Sequence, residues 1–336
     1  MIDSKFAIEG PAAHSPEWYQ IRSYDPERER PVVITASEAA AACNASPYSS
    51  ALELYLTKRG EMEAWQPDDE QAERMRFGHR MEEILIDEYK SKNECEVQTD
   101  LPMFLSTDVE YMGATPDGIA KKASDIWELE AKNSNWRMFD SSGEDEHKYG
   151  RAGTDEVPAI AMFQAQQQMK VLGLNRVEFP VLKNGNEMLV YKVDRNDALI
   201  EQIVEAEAEL VQRIIDGKPP EPNFEHAGTA KLLKELYGVN VGSVVELTAD
   251  DEALWFRQME IAEEIKNLES EKRRIKNEML SKMGDFEIAK FPGRNFQLKR
   301  TIVADSYWTE KDVRNIVIGE VKRSGHVRLT KSKAKG

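Results

Sequence analysis

Two hydrophobic periods alternate along roughly the first two thirds of this 336-residue chain. In DDEQAERMRFGHRMEEILIDEYKSKN, Met75, Met81, Ile84, Leu85 and Tyr89 recur near helical spacing. Acids gather at its start and lysines at its end, as a helix dipole favours. VPAIAMFQAQQQMKVLG predicts a helix opened by Pro158 and stopped at Gly173. DALIEQIVEAEAELVQRIIDG puts Leu199, Ile203, Ala206, Leu210 and Ile214 on one stripe and ends at Gly217 and two prolines. Between the helices the period falls to two. CEVQTDLPMFLS, YMGATPDGI and DIWELEAKN predict strands. In the last, Trp127, Leu129 and Ala131 would share one face, and Glu128, Glu130 and Lys132 the other. RVEFPVLKNGNEMLVYKV predicts a hairpin turning at Asn184-Gly185. ITASEAAAACNASPY predicts a short strand and then an alanine-rich helix with Ser37 as its N-cap. SSGEDEHKYGRAGTDE is polar and turn-rich, and predicts a mobile loop.

KPPEPNFEHAGT has the composition of a linker, which divides the chain into 1–225 and 226–336. Beyond it, Thr248 and Asp251 are spaced as a capping box. A long helix then runs to Gly284 with Ile261, Ile265, Leu268, Ile275 and Met279 on one side. The spacing slips at Lys272, so a packing arm or helical hairpin is expected rather than an extended coiled coil. IAKFPGRNFQLKRTIV predicts a second hairpin, and VKRSGHVRLTKSKAKG a basic solvated tail or a contact to a DNA backbone.

The net charge of −16 changes this picture in one respect. It argues against a nonspecific nucleic-acid coat protein, which needs a basic face, but not against an enzyme with a locally basic groove. The two cysteines, Cys43 and Cys95, stand far apart and make no zinc or iron–sulfur spacing. No basic start followed by an apolar run marks a secretory signal, and no apolar run is long enough to span a bilayer. A soluble cytoplasmic protein, not associated with a membrane, is expected.

The candidate chemistry lies in GATPDGIAKKASDIWELEAKN. Asp117 sits on a turn that closes one strand, and Glu130, Ala131 and Lys132 follow on the next. Clustered carboxylates repel one another and resist ionisation. A divalent cation removes that penalty, and Asp and Glu oxygens suit Mg²⁺. A lysine two residues after a carboxylate projects to the same face, where it can orient a water or stabilise charge on a phosphate. Metal, positioned water and cation are what phosphodiester hydrolysis needs. An isolated ExK is also an ordinary solvated strand face; Asp117 one hairpin arm away is what raises it above that.

D-x(n)-E-x-K across a hairpin is the pattern of the PD-(D/E)xK nucleases. Further pieces, in order over about residues 15–220, resemble the lambda-type alkaline exonucleases, the YqaJ-like viral recombinase family. EWYQIR is similar to its W-x3-R entry, giving Trp18 and Arg22. ITASE supplies Ser37, FGHRMEE supplies Gly78 and Glu82, TPDG supplies Asp117, ELEAKN supplies Glu130 and Lys132, and FQAQQQM supplies Gln164 and Gln166.

The resemblance implies an α/β core of the restriction-endonuclease kind, a central mixed sheet flanked by helices, with a helical and β-hairpin extension after it. Asp117, Glu130 and the carbonyl of Ala131 would hold one Mg²⁺, and Glu82 would help with a second; Mn²⁺ would substitute. Lys132 and Gln164 would position and activate the water, and Arg22 and Ser37 would hold a 5′ phosphate. The resemblance further implies degradation of one strand of duplex DNA from its 5′ end. The remaining 3′ single strand would feed an annealing protein, and the enzyme would be a homotrimer. The competing readings are an endonuclease or repair nuclease on the same fold, and a non-catalytic protein that binds DNA ends.

Overall fold

The computed structural model describes residues 2–63, 66–140, 145, 147–237, 244–293, 296–303, 306–307, 322–323 and 326–333. Contacts divide the chain into two compact units, Met1–Val239 and Asn240–Gly336. The first unit begins with β1 (Ala7–Glu9), α1 (Pro16–Ile21), β2 (Ile34–Thr35), a 3-10 turn at Ala36–Glu38, α2 (Ala39–Ala42), α3 (Ala51–Lys58) and α4 (Asp69–Asn93). Six short strands follow: β3 (Glu96–Gln98), β4 (Phe104–Ser106), β5 (Met112–Ala114), β6 (Gly118–Lys122), β7 (Asp125–Leu129) and β8 (Lys132–Ser134). A 3-10 turn at Trp136–Met138 leads to α5 (Ala159–Leu172), the hairpin β9 (Arg176–Lys183) and β10 (Glu187–Asp194), then α6 (Asp197–Asp216) and α7 (Thr229–Leu236).

The main sheet runs β10-β9-β7-β6-β3, with β8 continuing alongside β9. It is mixed: β7 and β8 pair β9 in parallel, and the other neighbours are antiparallel. A smaller sheet, β1-β4-β5-β2, stands beside it. This is the expected α/β core, a mixed sheet flanked by helices.

The sheet's two faces are set by strand alternation. Trp127 and Leu129 of β7 pack with Tyr89 of α4, while Val177, Phe179 and Val181 of β9 pack with Ala161, Ala165 and Met169 of α5. The helices α4 and α5 therefore sandwich the sheet. The stripe of α4 that is buried is Leu85, Ile86 and Tyr89; Met75 and Ile84 of the expected stripe are exposed. The charged face expected for β7 does not meet water. Glu128 pairs with Val177 across the parallel ladder and shares its buried face.

Local signals hold at the ends of several elements. Asp68 and Gln71 cap α4 reciprocally, and Gly173 stops α5 in the left-handed conformation. Asn184 and Gly185 both have positive φ, which the tight β9–β10 turn requires. Ser37 is not a helix N-cap. Thr35 caps instead, in a reciprocal box with Glu38, and Ser37 lies inside the 3-10 turn. The loop expected at 141–156 lies in part outside the described residues; of the rest, Tyr149 bridges Phe139 and is buried. The expected linker at 218–229 leads into α7, whose Leu232 joins the core cluster of Leu52, Tyr55, Leu210 and Ile214.

The second unit contains α8 (Ala249–Met283), β11 (Ile288–Lys290), β12 (Phe296–Val303), β13 (Ser306–Tyr307), β14 (Lys322–Arg323) and β15 (His326–Lys333). Thr248 and Asp251 form the capping box that opens α8. The expected hairpin is present, β11 against β12, although residues 294–295 of its connection lie outside the described residues. The basic segment read as a solvated tail is instead a strand over its described part: β15 pairs with β12 along eight residues.

Candidate active site

The hairpin β6–β7 brings the acidic residues together. Gly118 pairs with Leu129 at the open end of the hairpin, so Asp117 and Glu130, one residue further out on each arm, face one another. The strand breaks there. Ala131 N–H turns away from the ladder and donates to Asp117 Oδ2 at 2.9 Å. The register on β9 survives the break, Glu128 opposite Val177 and Lys132 opposite Val181. Alternation therefore still puts Glu128, Glu130 and Lys132 towards α5, and Ala131 towards Leu85 and Ile86 of α4.

Glu130 is 2% exposed and fully engaged. Its Oε1 accepts from Lys132 Nζ at 2.5 Å and Gln164 Nε2 at 2.6 Å, and its Oε2 accepts from Gln168 Nε2 at 2.7 Å. Gln164 and Gln168 lie one turn apart on α5 and present their amides to the same carboxylate. Gln168 is the site residue the expectation missed. The i, i+4 spacing from Gln164 was its only signal. Gln166 does something else. It donates to the Asp194 carbonyl and accepts from Asn196 N–H, tying α5 to the start of α6.

Burial raises the proton affinity of the Asp117 carboxyl well above the usual range, and Glu130 and Glu82 raise it further, against Lys132 and the Ala131 amide. Burial also raises Glu128 well above the usual range, with Glu130 and Asp117 adding to it. Both Glu128 oxygens lack a hydrogen-bond partner in the structure. For Lys132, burial pulls downward, but Glu130 and Asp117 outweigh it and hold the ammonium charged. The cluster thus gathers more carboxyl groups than one lysine balances, and its buried carboxyls hold protons where no cation neutralises them.

That excess is the fit test for a cation. The oxygens of Asp117, Glu130, Glu82 and the Ala131 carbonyl are a hard donor set of the kind Mg²⁺ takes. Among the described residues no three His, Cys, Asp or Glu side chains already converge as a ligand group. Asp117 and Glu130 with the Ala131 carbonyl are two side chains and a backbone oxygen, below that count, and Glu82 does not complete a third side-chain ligand. Glu130 retains lone pairs beside the three bonds it accepts.

Glu82 is half-buried on α4 and contacts His79 Nδ1 at 3.2 Å through Oε2. No atom lies within 4 Å of where a Gly78 side chain would begin, so the chain's own packing does not demand glycine there. Ser37 reaches the site by another route. A cleft of about 210 Å³ is lined by Ser37, Tyr48, Lys132, Tyr149, Ile160 and Gln164, among others. Lys132 is the member of the carboxylate–lysine cluster that lines it, and Tyr48 stands 70% exposed on its wall.

Arg22 is not among the residues lining this cleft. Its Nη2 donates to Glu38 at 2.9 Å, and the guanidinium lies 4.1 Å from the Trp18 ring centre. Glu38 also accepts from the Thr35 amide and from buried Lys58, both at 2.8 Å. Burial pushes the Glu38 carboxyl up, but Lys58 and Arg22 outweigh it and bring it down to about 2. Lys58 is the counterpart: burial lowers it, and Glu38 opposes. The fork expected to hold phosphate is therefore committed to an ion-pair network directly behind Ser37, with its Nε left unpartnered.

Taken together, the sandwiched mixed sheet with an aspartate, glutamate and lysine at the end of one hairpin is consistent with a core of the PD-(D/E)xK kind. Residues 17–175 match the model of the YqaJ-like viral recombinase domain. The chain is 25% identical over 305 residues to the YqaJ protein of Bacillus subtilis (strain 168), covering 89% of this chain and 91% of that one. Among solved structures, an alkaline exonuclease (LHK-Exo) from Laribacter hongkongensis is similar with a TM-score of 0.44 at 17% identity, over 66% of this chain and all of that one. A SOX–DNA complex is similar with a TM-score of 0.38 at 10% identity, over 63% of this chain and 71% of that one. Among the described residues no helix is long and apolar enough to cross a membrane.

Proposed function

We propose that the chain is a metal-dependent deoxyribonuclease that degrades one strand of duplex DNA from its 5′ end. The 3′ single strand it leaves would be used by a strand-annealing protein in recombination. One observation carries the reading: Asp117, Glu130 and Lys132 meet at the end of one hairpin, and Lys132 lines a cleft together with Ser37 and Gln164. The match of residues 17–175 to the YqaJ-like viral recombinase domain supports it.

Asp117, Glu130, the Ala131 carbonyl and Glu82 are the residues that would hold Mg²⁺ or Mn²⁺. The ion would supply charge stabilisation at the phosphate and a more acidic water. The chain's own residues do the rest. Lys132, kept charged by Glu130 and Asp117, faces the cleft and stabilises negative charge developing on a phosphate. As an ammonium it orients a water through its N–H donors rather than removing a proton. Gln164 and Gln168 fix the Glu130 carboxylate so that its geometry survives substrate entry. Ser37 offers a hydroxyl to the terminal phosphate. Arg22 contributes by holding Glu38 and the turn that carries Ser37.

The test is linear duplex DNA labelled at its 5′ or 3′ end, with Mg²⁺ or EDTA, for the wild type and Lys132→Ala. Early release of 5′ label as mononucleotide, lost with EDTA and reduced at least about 100-fold in Lys132→Ala, is expected. Release starting at the 3′ label would keep the nuclease and refute the polarity. Absence of metal-dependent cleavage would refute the nuclease and leave a protein that binds DNA ends.

A further inference from the structure

The second unit carries a long apolar seam that is exposed among the described residues. Along α8, Leu254, Ile261, Leu268 and Ile275 recur at intervals of seven. Ile265 and Met279 interleave with them, and Gln258 and Lys272 occupy the two remaining interleaved places. Three- and four-residue steps alternate without a break, which is the 3.5-residue period of a coiled-coil strand. The irregularity at Lys272 is a polar residue in register, not a slip. The seam is open: Leu254 is 69% exposed, Ile265 51%, Leu268 64% and Ile275 47%, and within α8 only Met283 is buried. At 1.5 Å per residue the seam from Leu254 to Met279 is about 38 Å long. A solvated helix with such a stripe gains little from it alone, because helical stability in proteins comes from packing an apolar face.

We propose that α8 pairs with α8 of a second copy of this chain, antiparallel, about a two-fold axis between Ile265 and Leu268. Charge decides the direction. A parallel pair would stack Lys272 on Lys272 inside the seam; its flanks would set Glu264 against Glu269 of the other copy and Glu271 against Lys276, so the stacked lysines decide against it. Turned antiparallel, Ile265 meets Leu268, Met279 meets Leu254, Gln258 meets Ile275 and Lys272 meets Ile261, so no lysine faces its own copy. On the flanks Arg257 comes opposite Glu278, and Trp255 opposite Lys276, an ammonium over an aromatic face. The like-charged flank pair, Glu264 with Glu271, straddles Lys272, whose ammonium can lie between them. Polar residues at single core places fix register at some cost in stability, and Gln258 and Lys272 suit that role. Arg257 and Glu278 now pair only within their own helix, with Glu260 and Glu264 and with Arg274 and Lys282. Such exposed pairs are worth little and exchange readily. Phe256 and Met259 fall outside the seam.

Cysteine trapping in the full chain tests this independently of any nuclease activity. Gln258 and Ile275 stand 17 residues, or about 26 Å, apart on one helix, too far for a disulfide within a chain. Under mild oxidation Gln258→Cys/Ile275→Cys should give a covalent dimer, while Gln258→Cys alone should not exceed the wild type with its native Cys43 and Cys95. Separately, Ile265→Asp/Leu268→Asp should lower the mass seen by light scattering with helix content unchanged, because both side chains are exposed in the single chain. Dimer formation by Gln258→Cys alone would overturn the antiparallel arrangement. No dimer in the double-cysteine variant, or an unchanged mass in the double-aspartate variant, would overturn self-pairing and assign the seam to another protein.

Discussion

Glu130 accepts hydrogen bonds from three side chains, and Gln168 is the one of them sealed from solvent. Gln168→Leu should lower the cleavage rate by about 10–100-fold, the usual range for loss of a residue that orients a ligand. Gln166→Leu, two positions away, removes the bonds to Asp194 and Asn196 instead. It should cost about 1–3 kcal/mol of stability with the rate per folded molecule little changed. Thermal denaturation beside initial rates separates the two. Behind the cleft, Glu207 is fully buried with neither carboxylate oxygen partnered. Burial raises its proton affinity well above the ordinary 4.5, and Glu38 adds to it, against Lys58. The folded state then keeps a proton that the unfolded chain releases above about pH 4.5, so the wild type loses stability as pH rises from there. Glu207→Gln removes the penalty. It should raise the melting temperature at pH 8 and leave it unchanged below pH 4. Glu38 has the opposite sign. Its depressed carboxyl stabilises fully above pH 4.5, and that contribution fades as pH falls towards 2.

Among the elements, β7 is the most instructive. Its apolar–charged alternation reads as a half-exposed strand, yet both faces are covered, by α4 and by α5. Burial makes Glu128 a carboxyl without a hydrogen-bond partner, and leaves Glu130 dependent on α5 for its donors. Period alone cannot distinguish a charged face turned to water from one turned to a helix supplying amides. The helix α8 shows the reverse case: its apolar stripe is legible, and among the described residues it stands exposed. Its opening turn rests on the Thr248–Asp251 box. Thr248→Ala should cost that turn about 1 kcal/mol. Faster amide exchange at residues 250–252, with the α5 amides unaffected, is the outcome to look for.

At the scale of the whole molecule, the proposed function requires a net charge of −16 to coexist with binding to a polyanion. The proposed exonuclease needs contact only at a DNA end, and a homotrimer enclosing the duplex would concentrate its basic residues along one lining. Both features predict dependence on ends. A covalently closed circular duplex should survive with Mg²⁺ while the same DNA, linearised, is degraded; gel electrophoresis of the two substrates in one reaction is the check. Nicking of the circle at a comparable rate would replace the exonuclease with an endonuclease on the same fold.

Local rules made much of this protein readable from its residues. Helical period and caps located α4, α5, α6 and α8, Asn184-Gly185 located the β9–β10 turn, and the TPDG turn with ELEAK placed Asp117 opposite Glu130. These signals act within one element or one hairpin, where a few residues suffice. Only the tertiary structure decided the rest. It turned Glu128 inward, put Thr35 rather than Ser37 at the cap, paired Arg22 with Glu38, and brought Gln168 to Glu130 from 38 positions away. The physical reason is shared: a polar side chain takes its role from the partner that burial supplies, and that partner comes from a distant part of the chain.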